Sequence, residues 1–139
     1  MKPALRTIAI LSLLCLSAPS DAVDLVVNQA VPADTLSRST VRSIFSMRMT
    51  SWPNGMPIQV FVLGDKSALH ADFSKQILGV FPHQLRRAWN RQIFAGTGQA
   101  PAKLESEEEM RDMVAKTPGA IGYISEEKLN EQIRKIAVE

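Results

Sequence analysis

The stretch Val60 to Phe73, VFVLGDKSALHADF, holds the residues of this sequence best arranged for chemistry. A β-branched and aromatic run ends at Gly64, a charged turn follows, and Ser67 stands where a helix would begin. A strand that passes through a Gly/Ser turn into a helix presents backbone N–H groups to an anion. In that arrangement Gly64, Asp65, Lys66, Ser67 and Ala68 form a cradle, with the Ser67 hydroxyl as a donor and Lys66 as charge. The same residues have a plainer use, because Asp or Ser at a helix start is a cap worth about 1 kcal/mol. Asp65 also adds a negative charge where an anion would sit. Thr117, Gly119 and Gly122 bring backbone close to a ligand in one reading, and are a helix stop with tight strand packing in the other.

Other chemistries find less support. His70 and His83 are the only histidines, and neither has a cysteine or a second histidine nearby in sequence. His70 and Asp72 are two residues apart, so on a helix they point to different sides and cannot easily grip one metal. No G-x-S-x-G elbow surrounds any serine. Glu107, Glu108 and Glu109 suit the positive end of a helix dipole rather than a catalytic pair. The expectation is therefore a binding protein without metal or cofactor, not an enzyme.

The elements that must position the turn alternate in type. Val23 to Asn28 is a short apolar run that predicts a buried strand. Pro32 to Thr35 is a loop; Ser37 precedes a helix with Val41, Ile44 and Phe45 on one face. Ser51 to Gly55 is turn chemistry, and Pro57 to Leu63 is the clearest strand. Beyond the turn, Leu69, Phe73 and Ile77 recur every four residues, and Gly79 is placed as a helix terminator. Pro82 suits the first position of another helix, with Leu85, Trp89 and Ile93 on its apolar side. After a loop from Ala95 to Pro101, Ser106 and Glu109 form a capping box ahead of Met110, Met113 and Val114. Thr117 and Pro118 stop that helix; Ala120 to Ile124 predicts a third strand, Glu126 to Gln132 a short helix, and Ile133 to Val138 a last strand or tail. Strands alternating with helices imply an α/β layered domain with a largely parallel sheet, in which ligands sit at the carboxyl ends of strands.

The ends bound the compartment. Lys2 and Arg6, the apolar Ile8 to Leu16, and the small residues up to Ala22 read as a secretory signal peptide cleaved after Ala22. Cys15 lies inside the apolar core behind Leu14, which does not suit a lipidation site. The expected domains are 1–22, the signal peptide, and 23–139, one domain that contains no cysteine and relies on its own core. With Lys2, Arg6 and Asp21 removed, the 16 basic and 14 acidic side chains become 14 and 13. A balance so near neutral gives no argument for a nucleic-acid partner. Arg86, Arg87 and Arg91 do form a basic side on the helix that carries Trp89, which reads as a solvated face or as a docking face for an acidic partner.

At this point the sequence resembles a known family. LSRSTVRSIFSMRMTSWPNGMPIQVFVLGDKSALHADF together with TPGAIGYI is similar to one lobe of the phosphate-type periplasmic substrate-binding proteins, and LRRAWNRQIFAGTGQAP to their short single-lobe members. Leu36, Ile44, Phe45, Trp52, Pro57, Ile58, Phe73 and Pro118 to Tyr123 carry the match. The resemblance implies a single lobe of the type 2 periplasmic-binding fold, with a mixed, mostly parallel sheet flanked by helices. It implies a periplasmic, soluble solute-binding-like protein linked to ABC-type uptake, taking a small anion such as phosphate weakly or with a partner. In the family's Gly-Ser-Gly-Thr turn only Ser67 matches clearly; Ala68 and Leu69 stand where Gly and Thr would be, and Leu63 where an Arg often follows the strand. Those losses favour the alternative, a periplasmic interaction or sensing module that kept the fold and lost the ligand, docking through Arg86, Arg87 and Trp89.

Overall fold

A computed structural model of the protein describes residues 22–96 and 98–139. The expected signal peptide, apart from Ala22, lies outside the described residues. The strands are β1 (Val23–Asn28), β2 (Thr35–Leu36), β3 (Gln59–Leu63), β4 (Ala102–Leu104), β5 (Ala120–Ser125), β6 (Ile133–Lys135) and β7 (Ala137–Val138). The helices are α1 (Arg38–Phe45), α2 (Ala68–Phe73), α3 (Pro82–Phe94) and α4 (Glu107–Lys116). A π-helical turn, Ser74–Leu78, continues α2, and a single 3₁₀ turn spans Glu126–Lys128.

Five strands form one sheet in the order β4-β3-β5-β1-β6, and β2 pairs with β7 in a second, two-stranded sheet. The pairs β3–β4, β3–β5 and β2–β7 are parallel; β1 is antiparallel to both β5 and β6. Alternation along β5 fixes the layers, because successive strand residues face opposite sides. A Cβ on Gly122 would meet Met110 and Val114 of α4. Its neighbour Tyr123 instead meets Phe45 of α1 and Phe73 of α2, the latter ring stacked at 3.9 Å between centroids. Helix α4 thus covers one face, while α1 and α2 cover the other, and β5 is buried throughout between them.

Serines set three helix starts. Ser37, Ser67 and Ser106 each accept a hydrogen bond from the N–H three residues on, at Thr40, His70 and Glu109. Gln84 Oε1 accepts from the Phe81 N–H at the start of α3, behind Pro82. Two tryptophans anchor outer elements to the core: Trp52 Nε1, from the loop before β3, donates to the Gly119 carbonyl, and Trp89 Nε1, from α3, to that of Phe45 at the end of α1. Among the described residues no helix is long and apolar enough to cross a membrane.

Three expectations change in detail. The row Leu69, Phe73, Ile77 predicts one regular helix, but the π-helical turn shifts the register, so Leu78 is buried and Ile77 only half so. Ile93 is exposed, because the buried side of α3 ends at Trp89. The helix expected over Glu126 to Gln132 shortens to the 3₁₀ turn, closed by the Leu129 N–H to the Glu126 carbonyl.

Candidate functional site

Parallel pairing brings the carboxyl ends of β3, β4 and β5 to one edge, at Leu63, Leu104 and Ser125. The first turns of α2 and α4 open at that same edge. Between them lies a cleft of about 530 Å³. Gly64, Lys66, Ser67 and Ala68 form one wall; Lys103, Glu105, Ser106 and Glu107 form the other, with Ser125 and Glu127 beside them. The turn itself is closed by the Ser67 N–H to the Gly64 carbonyl, at 2.9 Å.

Hydrogen bonds show how the donors here are used. Ser67 Oγ accepts from the His70 N–H at 3.2 Å, so its acceptor side serves α2. Glu107 Oε1 accepts from both the N–H and the Oγ of Ser125, at 2.7 and 2.6 Å. A carboxylate of the chain itself therefore sits on a pair of donors that would suit an oxyanion. Charge in the cleft is mixed: Lys66 and Lys103 face Asp72, Glu105, Glu107 and Glu127.

Asp65 turns away from this cleft. Its carboxylate pairs with Arg86 of α3, and Oδ1 lies 3.8 Å from Nε2 of the buried His70. His70 Nδ1 is hydrogen-bonded to the Tyr123 hydroxyl, which also accepts the Leu63 N–H at 2.8 Å. With the Leu63 donor on its oxygen, the Tyr123 hydroxyl has its own O–H left to donate to Nδ1, an arrangement that uses every donor and puts the ring proton of His70 on Nε2, toward Asp65. Burial first, and the Lys103 charge second, push the His70 pKa below its usual value. Burial likewise drives the Tyr123 pKa upward, so the phenol keeps its proton. The series Arg86, Asp65, His70, Tyr123 and Leu63 links α3, the turn, α2 and strands β5 and β3.

The remaining sequence candidates lie elsewhere. Thr117 ends α4, and Gly119 lies at the amino end of β5, some 20 Å from the turn by strand rise. There Gly119 has φ +81° and its carbonyl takes the Gln59 N–H and the Trp52 indole. Trp89 corrects the docking face expected around it: it is 7% exposed, held in the core by its bond to Phe45. Arg86 and Arg87 are exposed, the first being the partner of Asp65. Lys103, Glu107 and Ser125 were not anticipated. Lys103 lies in a strand too short to leave a pattern, and the pairing of Glu107 with Ser125 depends on strand order. Among the described residues no three His, Cys, Asp or Glu side chains are grouped to hold a metal ion.

Residues 13–138 match a family model described as a PBP superfamily domain. No curated protein matches the sequence significantly. Among solved structures, an ABC-type phosphate transport receptor from Vibrio cholerae is 20% identical, with a TM-score of 0.67 over 85% of this chain and 46% of its own. PstS from Borrelia burgdorferi is 15% identical, with a TM-score of 0.66 over 85% of this chain and 47% of its own. The chain thus spans about half the length of the structures it resembles, and the likeness is one of fold.

Proposed function

The chain belongs to the PBP superfamily domain family, and from that premise we propose that it is an exported solute-binding lobe that takes a small anion, phosphate being the first choice. The observation that carries this reading is the position of the Gly64–Ala68 turn. It lines a cleft at the carboxyl ends of three parallel-paired strands, beside two lysines and two helix starts. Lys66 and Lys103 supply charge, Ser67 Oγ–H a donor, and the turn its backbone. Binding is direct and needs no covalent step, in keeping with a family of binding proteins rather than enzymes. The leader over residues 1–22 would deliver the lobe to the periplasm, where a link to ABC-type uptake follows the resemblance.

A lone lobe leaves much of the ligand in water, so affinity is expected in the millimolar range unless a second wall closes over it. The test is calorimetric titration of phosphate into the purified protein. Ser67→Ala is a poor control, because it also removes the cap of α2, worth about 1 kcal/mol. Ser67→Asp keeps a capping oxygen while placing a negative charge in the cleft, and should abolish the heat. Absence of heat in the wild type at millimolar phosphate sinks the reading.

One observation favours a second reading, an interaction or sensing module without a ligand. Glu107 already occupies the Ser125 donors, and Ser67 already works as a cap. On that reading the exposed Arg87, with Phe94 at 88% exposure on the same helix, offers the docking face, and a pull-down from periplasmic extract is its test.

A further inference from the structure

A second concavity, of about 420 Å³, opens between α1, the π-helical turn and α3. Its floor is apolar, formed by Leu78, Val80 and Leu85, and three arginines line it: Arg42, Arg48 and Arg91. No carboxylate is among its lining residues. Among the described residues, the ion pairs that form engage other cations, and none involves these three. This is the reverse of the sheet-end cleft, where two lysines meet four carboxylates.

The cleft is also built rather than incidental. The π-helical turn ends at Gly79 in the left-handed region, φ +70°, which leaves the Leu78 carbonyl free of the helix. Arg42 Nε donates to that carbonyl at 2.6 Å, which holds the guanidinium in the lining of the cleft, and among the described residues its terminal N–H groups make no hydrogen bond or ion pair. A Cβ on Gly79 would lie 2.9 Å from Arg42 Nη2, so glycine makes the room the guanidinium occupies. On the other lip Ser74 Oγ donates to the Val80 carbonyl at 2.6 Å and the Val80 N–H returns to that of Ser74. Arg48 Nε donates to Ser46 Oγ at 3.2 Å. Insertions of this π type recur at functional sites, because they displace backbone groups from the regular ladder.

We propose that this cleft is a second binding site, for an organic anion that joins a carboxylate or phosphate to an apolar body. Three guanidiniums without a counter-charge repel one another, and an oxyanion relieves that repulsion while accepting their planar N–H forks. The apolar floor takes the rest of the molecule, which inorganic phosphate alone does not have.

Phenyl phosphate is the probe, with inorganic phosphate and phenol as comparisons, followed by NMR of backbone amides and the Arg42 Nε–H in the purified protein. Saturable shifts at Leu78, Gly79, Val80 and Arg42 are expected with phenyl phosphate, weaker ones with phosphate, and none with phenol. The double variant Arg48→Ala, Arg91→Ala should bind at least about tenfold more weakly, since hydrogen bonds to charged groups are strong. Both side chains are exposed, so its melting temperature should hold. Ser67→Asp should leave these shifts unchanged. No saturable shift at millimolar probe, or equal affinity in the double variant, overturns the site. Shifts confined to Gly64–Leu69 overturn it too, while supporting the sheet-end cleft; loss of those alone leaves this inference standing.

Discussion

His70 and Glu107 are two residues whose neighbours decide what they do. His70 is fully buried, and among the described residues its Nε2 has no hydrogen-bond partner. Asp65 at 3.8 Å favours the protonated ring, while burial and Lys103 disfavour it and prevail, so the native pKa lies below 6.5. The unfolded chain then binds a proton that the native state refuses as pH falls through that value. Stability should therefore be greatest above about pH 6.5 and decline below it, by at most about 1.4 kcal/mol per pH unit for one group. The decline ends once native His70 itself protonates. Urea midpoints followed from about pH 7.5 to about pH 5.5 should show that slope, and His70→Gln should flatten it; an unchanged slope in the variant rejects the assignment. Glu107 poses the matching question for binding. Gln at 107 keeps an oxygen for the Ser125 donors and removes one negative charge from the cleft. At an effective dielectric between water and protein, a charge several ångströms away is worth about 1 kcal/mol, so phosphate should bind roughly fivefold tighter to Glu107→Gln. Calorimetry that finds no gain places phosphate elsewhere.

Among the elements, those specified by adjacent residues were legible and those recruited by pairing were not. The serine caps at 37, 67 and 106, the left-handed Gly79 and the apolar runs of β1, β3 and β5 follow from local chemistry, and each falls where the sequence implies. Strand β4 has three residues with only Leu104 buried, and it exists because β3 offers it a parallel edge. The π-helical turn is equally silent, since a four-residue repeat cannot announce one extra residue. The site divides along the same line: the Gly64–Ala68 turn was readable as a strand end running into a helix. The facing wall of Lys103 and Glu107 depends on the order β4-β3-β5, which no spacing encodes. Gly119 tests the element it begins. With φ +81° and the Pro57 carbonyl 2.2 Å from where a Cβ would stand, Gly119→Ala should cost about 3 kcal/mol or more. Gly64 has ordinary φ and a neighbour no nearer than 3.8 Å, so Gly64→Ala should cost less than about 1 kcal/mol. Equal costs in urea unfolding would mean that tight packing at the amino end of β5 is not what keeps Gly119.

For the molecule as a whole, the decisive quantity is how much of a ligand one lobe can enclose. The chain spans about half the length of each structure it resembles, and Lys66, Lys103, Glu105 and Glu127 leave the cleft exposed to solvent. Strong discrimination between similar oxyanions requires buried polar groups that are left unpaired by the wrong one. In an open cleft water fills that role, and the penalty shrinks. Glu105 and Glu127 are exposed, so each can accept a hydrogen bond from a protonated phosphate or turn away from sulfate. On this argument the isolated chain should bind phosphate and sulfate within about a factor of ten of each other, under about 1.4 kcal/mol. Competition calorimetry on the purified protein measures the ratio directly. A preference for phosphate of a hundredfold or more would require a closed site, and sedimentation with and without phosphate would then identify whether a second copy of this chain is the missing wall. Linkage makes that outcome specific: a ligand held between two copies must draw them together as it binds, whereas a ligand held by one lobe leaves the association constant untouched.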